Sequence, residues 1–334
     1  ESEINQPKPV STEKTAEIAA SLHRLERAVL PYLEKHSSVA EIISTAKMQE
    51  IEVLRALNWL QNKGAVKITE QIMEVVSLLG RSLNLGAAIQ SSDPDVLRNI
   101  KRNNISLDAY RSFLEFGNKL AKDTATFTEV ILALPGDKKE THFNSLRYGI
   151  ENGAKNLRMY QAMLLIGTSM AAPEARTEFQ YQTKFRVIPG GVGFYKFGPQ
   201  EFSVAEIEEI IVGSKDLSFE DYVSCRVMHL LIESCYNNSI FQEIFCSLES
   251  MAIYPFECLL YLHQHQELYT PKMNEIINKF IAATKDLFDS QEEAEKYLQQ
   301  QEIIKKYISG DLGINELLVY KAELYLDLEA LVWA

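Results

Sequence analysis

Short apolar strands alternate with amphipathic helices through the middle of this 334-residue chain. The predicted strands are Leu85–Gln90, Thr126–Leu134 and Leu157–Leu165, and the predicted helices are Pro94–Lys101, Leu107–Lys122 and Lys138–Asn152. Strands that recur at this spacing with a helix between them are typical of parallel βα units. The sequence therefore predicts an α/β fold with a few parallel βα units.

Other patterns flank these units. Three short helices, the C-capping Gly64 and the strand-like segment AVKIT follow one another, which is the element order of a winged helix. A strand at 184–188 precedes the glycine-rich segment PGGVGF, which we expect to be a turn. Beyond it we expect only helices, at 204–212, 218–236, 239–265, 271–288, 292–308 and 314–332.

These patterns predict four regions. They are a flexible leader (1–15), a winged-helix domain (16–70), a region of parallel βα units (71–203) and an all-α C-terminal region (204–334).

The charge balance and the apolar pattern of the sequence indicate which kinds of partner the protein can bind. The chain has 34 Lys plus Arg and 46 Asp plus Glu, a formal net charge of -12, which argues against nonspecific binding of nucleic acid over the whole surface. The apolar run at 240–262 is interrupted by charged and amide residues, so we expect no membrane span. The chain's four cysteines occur in no metal-binding spacing, so we interpret them as buried thiols of a cytoplasmic protein.

The stretch from Leu22 to Ile68, and especially VLRALNWLQNKGAVKI at 53–68, resembles the N-terminal winged-helix region of archaeal-type phenylalanyl-tRNA synthetase alpha subunits. The resemblance implies tRNA contact but not aminoacylation, because no class II motif follows. The same residues are also consistent with a small packing or protein-binding module. A noncatalytic adaptor that binds RNA or protein through this module is therefore one candidate function.

Four blocks further along resemble the back half of radical S-adenosylmethionine enzymes, most closely the cobalamin-associated members. They are AAIQSSDPDVLRNIKRNNIS (87–106), VILALPGDKKETHFNSLRYGI (130–150), LRMYQAMLLIGTSMA (157–171) and the segment from KFRVIPGG to SFEDY (184–222). The resemblance implies that residues 71–203 form a partial (β/α) barrel. It also implies that such a barrel carries S-adenosylmethionine and a four-iron, four-sulfur cluster, with cobalamin as a further cofactor.

The cluster ligands of that family lie in a C-x-x-x-C-x-x-C loop, and this sequence contains no such loop. The second candidate function is therefore a radical S-adenosylmethionine enzyme-related protein whose cluster-binding half comes from another chain. Whether this chain is catalytic stays open at this point. A natural truncation, a gene fusion and an engineered assembly are all compatible with the pattern, and so is a nonfunctional fragment.

The same resemblance implies a set of cofactor-binding residues at the ends of the strands. Gln90 or Ser91 would hydrogen-bond the ribose and methionine portion of S-adenosylmethionine. The segment Leu134, Pro135, Gly136 and Asp137 would pass near the adenine, with Ala133 where the family usually has glycine, and Gly167 would turn tightly beside the ligand. No catalytic residue and no metal ligand is assigned.

Each of these residues also has a purely structural interpretation. Asp93 and Pro94 have the order of an N-cap and a first helical residue. Asp137 would favour the N-terminus of the next helix by its charge, and Gly167 would be an ordinary turn glycine. We interpret His263 and His265 as solvated residues at a helix end, because histidines two apart on a helix face different directions.

Overall fold

The computed structural model describes residues 24–33, 39–46, 48–49, 52–53, 55–56, 86–120 and 126–326. Its strands are β1 (Gly86–Gln90), β2 (Phe127–Leu132), β3 (Asn156–Gln161), β4 (Gln182–Phe197) and β5 (Gln200–Gly213). Its α-helices are α1 (Arg24–Leu33), α2 (Val39–Ala46), α3 (Pro94–Asn99), α4 (Leu107–Leu120), α5 (Lys139–Glu151), α6 (Pro173–Phe179), α7 (Phe219–Leu231), α8 (Gln242–Ser250), α9 (Pro255–Gln264), α10 (Pro271–Lys285), α11 (Gln291–Leu298), α12 (Gln301–Ser309) and α13 (Glu316–Leu326).

The predicted α/β architecture is confirmed. Strands β1, β2 and β3 form a parallel sheet in that order, and helices separate them along the chain. Buried and partly buried residues alternate along β1 and β2, as the two-residue period of a strand requires. The second strand ends at Leu132, two residues earlier than predicted, because Ala133 adopts a left-handed φ of 66°.

The chain divides into two compact units. One comprises residues 1–89, 101–129 and 152–156, and the other comprises 90–100, 130–151 and 157–334. In the first unit, α1 and α2 pack together and bury Val29 and Ile42. Two helices predicted for the winged helix are thus present in part. The predicted leader (1–15), Gly64 and the AVKIT strand lie outside the described residues, and the four predicted regions remain predictions.

The segment after α6 corrects two predictions. PGGVGF is not a turn, since it lies within β4, and residues 204–212 are not a helix, since they lie in β5. The two strands pair antiparallel from Gln182 with Gly213 to Phe197 with Gln200. Where Val187 and Val192 flank a register shift, residues 188–191 lie opposite Glu206 alone. The glycines thus form a bulge in a long hairpin.

The base of this hairpin joins the rest of the second unit. Beyond β3, the amide of Leu164 donates to the carbonyl of Glu209 (2.9 Å) and the amide of Ile211 to the carbonyl of Ala162 (2.9 Å). Val187 packs with Leu298 and Ile304 in one apolar cluster. The distal half differs, because its large apolar side chains are exposed. They are Phe194, Tyr195, Phe197, Phe202 and Val204.

Helix α7 lies at the centre of the helical C-terminal region. It contacts α5, α9, α10 and α13, and nine of its 13 residues are buried. A helix surrounded on all sides must be apolar nearly all round, yet α7 carries the fully buried Arg226 and His229. The helices predicted at 239–265 and 292–308 are each broken in two, before Pro255 and at Gln299–Gln300.

Cysteines and histidines depart in part from their predicted environments. Cys225 and Cys235 are buried and Cys258 is partly buried, but Cys246 is exposed. His265 is partly exposed, whereas the interpretation of His263 as solvated was wrong. His263 is 8% exposed, with its ring edge-on to Phe143.

Among the described helices, none alone has the length and apolar composition of a membrane span, although α8 and α9 together meet that test across a 104° bend.

Candidate functional site at the strand ends

The backbone turns sharply at the end of β1. Gln90 has a left-handed φ of 59°, which non-glycine residues seldom adopt. Asp93 then caps α3 by accepting hydrogen bonds from the amides of Asp95 (2.9 Å) and Val96 (3.0 Å), with Pro94 as the first helical residue. The capping interpretation of this segment is therefore confirmed.

Three serines join the end of β1 to helix α5. Ser145 Oγ accepts a hydrogen bond from the amide of Ser92 (2.9 Å) and lies 3.3 Å from Ser91 Oγ and 3.2 Å from Ser92 Oγ. Ser91 is 2% exposed, and its Oγ also accepts from the amide of Asp93 (3.1 Å). Ser91 thus holds the protein's own backbone, and the half-buried Gln90 is the better placed of the two predicted residues to meet a ligand.

The turn after β2 contains the other predicted residues. Ala133 has φ 66° and Gly136 has φ 81°, and the amide of Asp137 donates to the carbonyl of Leu134 (2.9 Å). Asn99 Nδ2 donates to the carbonyl of Pro135 (2.9 Å). A Cβ at position 136 would lie 2.6 Å from that same nitrogen. Glycine is therefore required at 136 both by the backbone conformation and by the close approach of Asn99.

Asp137 is the anchor of this turn. Its carboxylate is buried and accepts hydrogen bonds from the hydroxyl of Thr141 (2.6 Å) and from the amides of Lys138 (3.1 Å) and Ala133 (3.3 Å). The carbonyl of Thr141 in turn accepts from Ser145 Oγ (3.0 Å). The ends of β1 and β2 are thus joined through one continuous set of hydrogen bonds on α5.

Gly167 lies in the turn beyond β3. The amide and hydroxyl of Thr168 both donate to the carbonyl of Leu165 (3.1 and 2.7 Å), and Gly167 has φ 84°. The space where its Cβ would lie is open. Three apolar side chains before this glycine are exposed, namely Met163 (38%), Leu165 (57%) and Ile166 (102%). The end of β3 therefore presents an apolar surface, in contrast to the polar ends of β1 and β2.

Sequence reasoning missed a buried polar chain behind the Asp137 turn. His142 Nδ1 lies 3.5 Å from Asp137 Oδ2, and His142 Nε2 lies 2.7 Å from His229 Nε2. Arg226 Nη1 is 3.3 Å from His229 Nδ1, and Arg226 Nη2 donates to Glu316 Oε1 (2.7 Å). The available signal was an arginine and a histidine three residues apart in the apolar segment CRVMHLLI.

Burial shifts the titration of the groups along α7. Desolvation, with the charges of His142 and Arg226, holds the pKa of His229 well below its ordinary value. Burial raises the pKa of the Cys225 thiol well above its usual range, with Asp137 adding to the shift, and raises the pKa of Tyr222 to about 12. The centre of this region therefore favours the neutral forms of the His229 ring and the Cys225 thiol.

The described residues contain no group of three or more His, Cys, Asp or Glu side chains placed to hold a metal ion. The cysteines also do not fit the predicted cluster. They are 10, 11 and 12 residues apart at positions 225, 235, 246 and 258. Burial raises the pKa of Cys225, Cys235 and Cys258, which disfavours the thiolate that an iron–sulfur cluster needs as ligand.

Comparison with known proteins links the chain to methyltransferases over part of its length. No family model matches the sequence. The cobalamin-dependent radical SAM methyltransferase TokK of Streptomyces tokunonensis is 26% identical over 163 residues, which is 48% of this chain and 22% of TokK. The 2-(S-pantetheinyl)-carbapenam-3-carboxylate methyltransferase of Streptantibioticus cattleyicolor is 25% identical over 164 residues, with the same coverage.

The chain therefore spans about a fifth of the length of these curated relatives. Neither the comparisons nor the described residues support the winged helix or the adaptor function. What the comparisons support is a distant relationship to radical S-adenosylmethionine methyltransferases.

Proposed function

We propose that this chain supplies part of the S-adenosylmethionine-binding face of a radical S-adenosylmethionine methyltransferase-type protein. The observation that carries the proposal is the set of turns after β1 and β2, which hydrogen bonds through Thr141 and Ser145 hold together. In parallel α/β folds, ligands bind at the carboxyl ends of the strands. The partial match to TokK supports the same assignment.

Each strand end would make a different contact with the ligand. Gln90 is half-buried at the end of β1, and its amide would hydrogen-bond the ribose or methionine portion. The turn from Leu134 to Asp137 would present its backbone to the adenine. The exposed apolar side chains at the end of β3 are the kind of surface on which a purine ring packs.

S-adenosylmethionine, when reduced by an iron–sulfur cluster, supplies radical chemistry in such proteins. The cysteines of this chain do not fit the cluster, so the proposal assigns only binding and orientation of S-adenosylmethionine to it. The cluster-binding part, and any cobalamin-binding part, would belong to another polypeptide segment. The transferred group and its acceptor would be determined in that complete assembly.

Isothermal titration of S-adenosylmethionine into the purified, iron-free chain tests the proposal directly. We expect micromolar binding that is weakened at least tenfold in Gln90→Ala, which removes one hydrogen-bonding side chain. The matched control is Lys196→Ala on the exposed hairpin, which should bind like the wild type. Circular dichroism verifies that both variants fold.

Two outcomes would contradict the proposal. One is the absence of heat at any ligand concentration in a chain that unfolds cooperatively. The other is an equal loss of affinity in Gln90→Ala and Lys196→Ala. A visible charge-transfer band after anaerobic incubation of the chain alone with iron and sulfide would instead contradict the assignment of the cluster to another segment.

A further inference from the structure

The distal half of the β4–β5 hairpin, residues 192–205, reaches beyond the part that packs on the rest of its unit. Val192 and Ala205 still pack against the apolar cluster around Val187, but every residue from 194 to 204 is exposed. A two-stranded hairpin is at best marginally stable in water unless helices or further strands cover one of its faces. The distal half therefore needs a covering surface that the described residues do not supply.

One face of the distal half is apolar. Residues directly opposite each other in an antiparallel pair share a face, and successive residues alternate between the two faces. Tyr195 pairs with Phe202, and their rings stack with centroids 6.1 Å apart. Phe197 and Val204 lie two positions along their strands and therefore share this face. These four side chains, 40% to 79% exposed, form what we call the distal face.

Gly193 makes the distal face flat. A Cβ on this glycine would lie 3.2 Å from the ring of Tyr195, so the ring lies along the strand, over the glycine backbone. Flat apolar faces of two sheets pack against each other at a separation of about 10 Å. The distal face therefore has the shape to pack against a second sheet face.

The distal half is electrically neutral, although the whole chain has a formal net charge of -12. The two charged residues within 192–205 are Lys196 and Glu201, which lie on the opposite face and form an ion pair (3.1 Å). Two copies of such an acidic chain repel each other over much of their surface, but their distal faces do not. Glu206 borders the distal face at its base, so antiparallel packing of two copies would keep the two Glu206 carboxylates at opposite ends.

A second exposed apolar surface, at α8 and α9, differs in its charges. Ile244 and Met251 are exposed there, and Glu243 and Glu249 lie beside them in the sequence. The sequence from 227 to 271 contains no lysine or arginine. Two copies that met on this surface would bring carboxylates together, which is unfavourable. Charge therefore favours the distal face, and not the α8–α9 surface, as the place where two copies associate.

We propose that the distal face packs against the distal face of a second copy of this chain, in a two-fold symmetric dimer. From their exposed fractions, the four side chains offer roughly 400 Å² of apolar surface per copy. A contact of about 800 Å² in total is smaller than the roughly 1,200–2,000 Å² of most stable interfaces, so the dimer is reversible, with a Kd of about 10 to 100 μM. The inference does not depend on the proposed ligand site.

Sedimentation velocity of the full chain, at concentrations from about 1 to about 200 μM, measures this association. Phe202→Lys and Phe202→Glu each place a charge in the middle of the distal face, close to the two-fold axis. Each variant alone should associate at least tenfold more weakly than the wild type, because like charges meet. An equimolar mixture of the two should associate again, because opposite charges then meet. Misfolding of either variant would not produce this recovery.

Two further variants complete the experiment. Met251→Lys is the matched control, because it places the same charge on a 62% exposed apolar residue of the α8–α9 surface and should leave the Kd unchanged. Phe197→Lys repeats the test at the most exposed position of the distal face, where a substitution disturbs packing least. Circular dichroism verifies that each variant is folded.

Four outcomes would overturn the inference. They are a wild type that stays monomeric over the whole range, folded Phe202 variants that associate like the wild type, a mixture that stays monomeric, and a Met251→Lys variant that associates as weakly as Phe202→Lys. Sedimentation of a monomeric wild type with phosphatidylcholine vesicles, lost in Phe202→Lys, would instead assign the distal face to a lipid surface. Titration of S-adenosylmethionine tests the proposed function separately, because its result does not change the sedimentation result.

Discussion

The strand-end turns and the distal half of the β4–β5 hairpin are held by different interactions. At the strand ends, the buried Asp137 and Ser145 and the exposed Asn99 bond the backbone, and the bonds of Ser145 and Asn99 join segments distant in sequence. In the hairpin, the two strands pair with each other, and large aromatic residues such as Phe197 remain exposed. The comparison teaches that a substitution should have long-range effects in the first region and local effects in the second.

The largest difference is expected for two ion pairs. Glu316 pairs with the fully buried Arg226, whereas Glu201 pairs with Lys196 on the exposed hairpin. Glu316→Ala leaves a buried guanidinium without its carboxylate and should lower the free energy of unfolding by about 3 kcal/mol. Glu201→Ala should lower it by at most about 0.5 kcal/mol.

Urea unfolding of both variants measures this difference. Equal destabilisation would show that the ion pair of Arg226 and Glu316, in the buried polar chain, contributes no more to stability than the exposed ion pair of Lys196 and Glu201.

Two glycines with left-handed backbones provide the next contrast. Gly136 has φ 81° and a Cβ there would collide with Asn99, whereas Gly190 in β4 has φ 77° and open space around it. Gly190→Ala should cost about 1 kcal/mol from backbone strain alone. Gly136→Ala should cost about 2 kcal/mol, because Asn99 must also give up its hydrogen bond to Pro135.

Thermal unfolding of the two alanine variants compares these costs. Asn99→Ala combined with Gly136→Ala removes the collision, so the double variant should be less destabilised than the sum of the two single changes. Additive losses would contradict the role of Asn99 in restricting position 136.

Stability should also depend on pH through His229. The unfolded histidine takes up a proton near its ordinary pKa of about 6.5. The native ring does so only at lower pH, because burial lowers its pKa. The unfolded state therefore binds more protons in this interval, and the contribution of His229 is complete above about pH 6.5 and is lost as the pH falls.

Urea unfolding at a series of pH values detects this loss. His229→Gln should reduce the decline in acidic solution. An unchanged decline would assign it to other groups, such as His263, whose pKa burial also lowers.

The smallest effect concerns two alanines and should differ in sign between the regions. Ala133 has a left-handed φ of 66°, so Ala133→Gly should raise the free energy of unfolding by up to about 1 kcal/mol. Ala205 pairs with Val192 in the hairpin, where glycine is unfavourable, so Ala205→Gly should lower it by roughly 0.5 to 1 kcal/mol. Differential scanning calorimetry measures both, and a loss of stability in Ala133→Gly would show that its buried methyl group outweighs the strain.

Predictions from the sequence succeeded where local pattern and tertiary contacts agree. The parallel strands, the cap formed by Asp93 and Pro94, and the turn at Gly167 follow from residues within a few positions of each other. The prediction of a helix at 204–212 was wrong because Val204, Ile207 and Ile211 recur at a spacing compatible with a helix. Pairing with β4 and with the end of β3 makes it a strand instead.

The candidate site divides in the same way. Gln90, Ser91 and the segment Leu134–Asp137 could be placed near strand ends from the sequence pattern, whereas their contact with a ligand is implied by the family resemblance and stays a prediction. Two other features depend on residues far apart in the sequence. The Ser91 hydroxyl contacts the Ser145 hydroxyl, and Asp137 is linked through two histidines and Arg226 to Glu316, which is 179 positions away.

The sequence by itself determined the parallel βα order, the cap of α3 by Asp93 and the lack of a cluster-binding loop, because each depends on local residue type and spacing. Only the tertiary structure decided that residues 200–213 pair as a strand and that His142 and His229 meet at 2.7 Å. The physical reason is that burial and hydrogen bonding between distant segments override local preference, and neither is encoded in a short window of sequence.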